Sequence, residues 1–213
     1  MGIIGTVLRR LWRACTPETF RTRIYRMRAA ARLSTPMILD PTYAEDGLIS
    51  QHVSDFMQEA KFQAAYTSAR QGIVWSHPGE IRFRAYIACW AARHGLALDG
   101  DFVECGVASG VLSRTICAYL DFHTVNKKFF LYDTFKGIPV SSLTDAREID
   151  VATRLNKSHY AEDFLPLVRE RFSGFPNVIA VPGMLPESLS GTTPNRIAYL
   201  SIDLNNAGAE MGV

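Results

Sequence analysis

The chain has 213 residues, of which 47% are hydrophobic and 21% charged, with a formal net charge of +2. That length is enough for one domain with a sizeable core. The near-neutral balance gives no global field for nucleic acid, and no apolar run approaches the roughly 18 residues of a membrane span.

Charge is unevenly placed. Residues 1–35 hold eight arginines, from Arg9 to Arg32, against Glu18 alone, which makes that stretch +7 and the remainder −5. Residues 5–33 read as one or two basic helices, and residues 1–50 as a basic arm and linker. Such an arm can meet an anionic membrane surface or an acidic partner; a solvated helical extension is the simpler reading. The opening Met1-Gly2-Ile3-Ile4-Gly5-Thr6 fits an acylation pattern that is short enough to arise by chance. Arg9 and Arg10 interrupt the apolar run too early for a secretory signal. Cys15, Cys89, Cys105 and Cys117 form no C-x-x-C pair and sit in apolar surroundings, as buried thiols of a reducing, cytoplasmic compartment would.

Residues 34–47, with Pro36, Pro41 and Gly47, read as a linker. Residues 51–98 hold two amphipathic helices. The first covers 51–70, with Val53, Phe56, Met57, Ala60, Ala64 and Ala65 near helical spacing. The second covers 80–94 and closes at His94-Gly95. This pair would cover an acceptor or build a homodimer contact.

From residue 99 the pattern alternates. Strands are expected at 101–107, 127–133, 177–181 and 196–203. Helices are expected at 109–121, with Ser109 as N-cap, and at 161–172; a helical turn is expected near 185–190, and another helix starts near Asn206. The polar segment 141–160 reads as a lid. Apolar strands alternating with helices predict an α/β fold with a doubly wound, Rossmann-like parallel sheet covered on both faces. A fourth strand at the end would leave an open apolar edge, so the core over 99–213 is expected to be truncated after that strand or covered by another element.

In such a sheet the ligand sits at the carboxyl ends of the strands, above the turn after the first. That turn is Glu104-Cys105-Gly106-Val107-Ala108-Ser109-Gly110. A pyrophosphate fingerprint aligned from Gly106 fails at Ala108 and Val111, and no Gly-Lys-Ser/Thr is present. A smaller polar ligand, an amino acid joined to a nucleoside, remains, and S-adenosylmethionine is one. Asp133 closes the second strand, where a ribose diol would lie. An acid there also suits a dinucleotide, and a simple turn residue is the bland alternative. Glu104 would bind the methionine ammonium or cap the loop's own N–H groups.

The blocks "GDFVECGVASG", "FFLYDTFKGIP", "VIAVPGMLPESL" and "IAYLSID" together resemble the macrocin O-methyltransferase (TylF) family, over about residues 80–213. The resemblance implies a class I S-adenosylmethionine-dependent methyltransferase fold, of which this chain shows the first half. It implies cofactor contacts around Glu104, Gly106, Ala108, Ser109, Gly110, Asp133, Thr134, Gly183 and Met184, the last near the adenine. It also implies a magnesium-type site with Asp203 as one ligand. Here the sequence departs from the family's Asp-x-Asp, reading Asp203-Leu204-Asn205, and a capping role for Asp203 stays open. His159, in a polar segment on the ligand side, is a candidate general base.

The expected function is O-methylation of a small hydroxylated metabolite or sugar. Two alternatives stand beside it. One is an inactive or truncated cofactor-binding remnant serving as an interaction module. The other is an NAD-type oxidoreductase, which the missing fingerprint disfavours.

Overall fold

A computed structural model describes residues 41–73, 80–160, 162–191 and 193–213. The expected basic helices of residues 5–33 lie outside the described residues. Among the described residues, no helix is long and apolar enough to cross a membrane.

The segment read as a linker ends in a hairpin. β1 (Tyr43–Glu45) pairs antiparallel with β2 (Leu48–Ser50), Glu45 opposite Leu48. Asp46 and Gly47 make the turn at φ 51° and 76°. Positive φ at both central residues belongs to a tight hairpin turn, which Asp-Gly favours.

The larger unit is built on one sheet. β3 (Asp101–Cys105), β4 (Phe129–Asp133), β5 (Val178–Pro182) and β6 (Ile197–Ile202) lie in the order β5-β4-β3-β6, all parallel. All four fall where the apolar runs placed them. Strand order reverses at β3, which has β4 on one side and β6 on the other, so the loop leaving β3 opens at a topological switch point. Alternation divides the side chains. Val103, Cys105, Phe130, Tyr132 and Leu185 form the core on one face. Phe102 points to the other, among the rings of Phe122, Phe129 and Tyr199 at 5.2 to 5.7 Å.

Helices cover the sheet. α1 (Ala60–Arg70), preceded by a 3-10 turn at Asp55–Gln58, packs along α3 (Val111–Leu120). The Tyr119 hydroxyl donates to Glu59 at 2.7 Å, and Lys61 pairs with Asp121 at 2.8 Å. α2 (Arg82–Gly95) ends in the expected glycine. The N-cap of α3 is Gly110, not Ser109, because the turn stays left-handed one residue longer, with Gly110 at φ 75°. The polar segment after β4 is not an irregular loop. It holds a 3-10 turn at Val140–Ser142 and then α4 (Ala146–Ser158), whose N-cap Asp145 accepts from the amides of Arg147 and Glu148. α5 (Leu165–Arg171) leads into β5, and α6 (Ala207–Gly212) follows β6 with Asn206 as N-cap.

Candidate active site

The four strands deliver their following loops to one end of the sheet, and these loops carry nearly all the residues singled out in the sequence. The loop after β3 is held on both sides. The Gly106 amide donates to Tyr132 O at 2.9 Å, and the Asp203 amide donates to Cys105 O at 2.8 Å. Gly106 has φ 92°, and a Cβ there would stand 1.9 Å from Asp203 O, so only glycine lets the β3 and β6 ends meet. Ala108 follows at φ 50°. The alternation of conformations curls the loop and turns consecutive amides inward, the shape of an anion-binding nest.

The nest is filled from within. Asp133 Oδ2 accepts from the amides of Val107 and Ala108 at 2.6 and 2.7 Å. Its Oδ1 accepts from the Phe135 amide at 2.7 Å. Asp133 is therefore a clamp on the loop, a role that neither the ribose reading nor the turn reading included. One acceptor position is left over. The Thr134 hydroxyl has a single proton and two acceptors, Gly137 O at 2.6 Å and Asp133 Oδ1 at 3.3 Å. The shorter contact takes the proton, which leaves a lone pair of Oδ1 for a ligand hydroxyl.

Glu104 is the opposite case. It is buried, and its Oε2 has no hydrogen-bond partner. Burial pushes its pKa up to about 8; the charges of Asp133 and Asp203 add to this, and the Ser113 hydroxyl on α3 opposes it. An orphaned buried carboxylate oxygen is costly and calls for a cation or a donor.

The remaining candidates fall as follows. Ser109 lies in the turn between Ala108 and Gly110. The Gly183 amide donates to Asp133 O at 2.9 Å, which brings the loop after β5 beside the clamp. Met184, next to it, is 38% exposed. Asp203 follows β6, half-exposed. Its Oδ2 lies 3.3 Å from Arg84 Nη1, and its Oδ1 accepts from the side-chain Nδ2 of Asn205 at 3.3 Å. An acid missed in the sequence, Glu210, accepts from the Leu204 and Asn205 amides at 3.0 and 3.2 Å and shapes this loop from α6. His159 is exposed at the C-cap of α4, its Nδ1 2.6 Å from the Ser158 hydroxyl oxygen. Its neighbour Tyr160 was not singled out either; the charges around that ring are Asp203, Asp133 and Arg84.

The cofactor and metal expectations meet different ground. The orphaned Glu104 oxygen and the open position on Asp133 suit an ammonium and a ribose hydroxyl. Both oxygens of Asp203 are engaged by a guanidinium and an amide, a donor set that does not suit a divalent cation. Among the described residues there is no group of three His, Cys, Asp or Glu side chains placed to hold one.

A solved structure, that of the O-methyltransferase NovP, matches with 24% identity and a TM-score of 0.47, over 57% of this chain and 53% of that one. The chain thus spans about half the length of that solved relative. No curated protein matches the chain. The sequence model of the macrocin-O-methyltransferase (TylF) family matches residues 27–209. That is most of the chain, and the protein belongs to the macrocin-O-methyltransferase (TylF) family.

Proposed function

We propose that the protein is an S-adenosylmethionine-dependent O-methyltransferase acting on a small hydroxylated acceptor. Family membership supports the class of reaction. The observation that carries the choice of ligand is electrostatic. The loop amides that would cradle a phosphate are already bonded to Asp133, while Glu104 leaves a buried carboxylate oxygen unpaired. The Asp133 charge repels a diphosphate, while an ammonium beside Glu104 would ionise that carboxyl and pair with it.

When bound, S-adenosylmethionine supplies an electrophilic methyl group on a sulfonium. Glu104 would receive the ammonium. Asp133 Oδ1 would take a ribose hydroxyl, and Ser109, Thr134, Gly183 and Met184 would line the nucleoside. Asp203 would accept a hydrogen bond from the acceptor hydroxyl and take up its proton. The chain's main contribution is alignment of the acceptor oxygen with the methyl group.

Calorimetry with S-adenosylhomocysteine and NAD in parallel tests the reading. Binding of the homocysteine compound, with no heat from NAD, is expected. Binding of NAD alone would overturn it.

A further inference from the structure

Arg70, Arg114 and Arg171 meet where α1, α3 and α5 come together. Arg70 closes α1, Arg114 stands in the first turn of α3, and Arg171 closes α5. Arg114 Nε donates to Arg171 O at 3.1 Å. The Arg171 guanidinium reaches the end of α1, where Nη1 donates to Gln71 O at 3.2 Å and Nη2 to Ala69 O. Arg70 Nη1 donates to Ile73 O at 3.0 Å. One face of the Arg114 guanidinium lies over the Phe175 ring, 4.8 Å from its centre.

The carbonyls and the dipole at the end of α1 call for one cation, and Arg171 supplies it. That capping role leaves two things over. Arg114 Nη1 and Arg171 Nε are buried without a hydrogen-bond partner, and a guanidinium nitrogen closed off from water is costly until an acceptor meets it. The positive charge is also unmatched. Among the described residues, every hydrogen-bond acceptor of Arg114 and Arg171 is a neutral main-chain carbonyl. Burial first, then the charges of Arg114 and Arg70, hold the pKa of Arg171 below the ordinary arginine value. Both side chains are only partly buried, so the cluster borders solvent.

We propose that Arg114 and Arg171, with Arg70 beside them, form a binding site for a phosphate group. A phosphate carries the charge that the cluster lacks and offers several oxygens to donors set at different angles. The flat fork of arginine suits it with paired bonds. Its oxygens would take Arg114 Nη1 and Arg171 Nε, and the bonds to the Ala69, Gln71 and Arg171 carbonyls would stay in place. None of these residues belongs to the methyltransferase site, so the inference stands or falls apart from that reading.

The test titrates the full chain with inorganic phosphate, chloride being exchanged for phosphate at constant ionic strength, and reads binding by phosphorus NMR line broadening. The wild type is expected to bind. Arg114→Gln removes the charge and the fork, and affinity should fall about tenfold or more, the worth of one hydrogen bond to a charged group. Lys61→Gln removes an equal charge from the other end of α1, where Lys61 pairs with Asp121, and should stay within about twofold. If Arg114→Gln fails to fold, Arg114→Lys keeps the charge without the fork and should still weaken binding. A parallel titration with glucose 6-phosphate separates the sources: equal affinity assigns the site to the free ion, and tighter binding assigns it to a phosphorylated metabolite. A wild type that shows no broadening overturns the site without any variant. So does an Arg114 variant that binds like the wild type, or an equal loss in Lys61→Gln, which would reduce the effect to general charge.

Discussion

Asp133 and Ala108 are joined by a 2.7 Å hydrogen bond from the Ala108 amide to Asp133 Oδ2. The Val107 amide shares that oxygen at 2.6 Å, and Phe135 holds the other at 2.7 Å. A carboxylate accepting three backbone amides is a charge-assisted cluster. It fixes the glycine turn from the next strand over. The same contact fills the anion position of the loop.

Asp133→Ala should therefore damage both stability and binding. It strands three amides and frees a loop that Ala108 holds at a costly positive φ. A loss of about 2–4 kcal/mol in denaturant unfolding is expected, with at least a tenfold weaker affinity for S-adenosylhomocysteine. Asp133→Asn should fall between, because its amide nitrogen cannot accept from both sides. An Ala variant with wild-type stability would remove the clamp from the account.

The sheet was legible in the sequence because its strands are short apolar runs bounded by turns, and burial on both faces leaves such runs unbroken. The place of Asp133 at a strand end was legible too. Its clamping role was not, because that depends on where the Val107 and Ala108 amides point. The β1–β2 hairpin was missed because three-residue strands carry no readable alternation, although Asp46-Gly47 was a usable turn signal. α4 was hidden by its polar surface; Asp145 followed three residues later by Glu148 has the spacing of a capping signal. Glu210 has no local signature. Its partners, the Leu204 and Asn205 amides, meet it only through the fold.

Glu104 gives a pH dependence with a definite sign. In the unfolded chain the carboxyl loses its proton near its ordinary value of 4.5, and in the fold it keeps it up to about 8. Between those values the native state binds more protons, so stability falls as pH rises through the window. Glu104→Gln should flatten that slope when unfolding is measured between pH 5.5 and 7.5. Binding carries the partner effect. An ammonium beside Glu104 ionises it, so S-adenosylhomocysteine should release close to one proton at pH 7, about the share still bound to a group of that pKa. Calorimetry in buffers of different ionisation enthalpy reads this, and the Gln variant should release none. Equal slopes and equal proton counts in both proteins would place Glu104 outside the site.

Gly106→Ala tests the meeting of the β3 and β6 ends. The added Cβ would lie 1.9 Å from Asp203 O, at a φ of 92° that L side chains rarely adopt. Neither backbone can yield without breaking the Asp203 to Cys105 hydrogen bond of 2.8 Å. A destabilisation above roughly 3 kcal/mol, or loss of soluble protein, is expected. A variant that melts within a few degrees of the wild type would mean that the two loops are further apart.

Ala108→Gly separates two explanations for a loop that refuses a diphosphate. Sequence spacing blames the Ala108 side chain, since the dinucleotide fingerprint wants glycine at that position. The structure blames charge, since the amides are bonded to Asp133 whatever residue stands at 108. Glycine would relieve the φ of 50° and open the approach, yet leave the carboxylate in place. Removing that strain and loosening the unfolded chain offset each other, so stability should change by less than about 1 kcal/mol. Affinity for S-adenosylhomocysteine should stay within about threefold, since no polar contact is lost. NAD should still fail to bind, because its pyrophosphate would face a fixed negative charge where it needs free N–H groups. Measurable NAD affinity in Ala108→Gly would show that bulk, and not the Asp133 charge, closes the loop to dinucleotides.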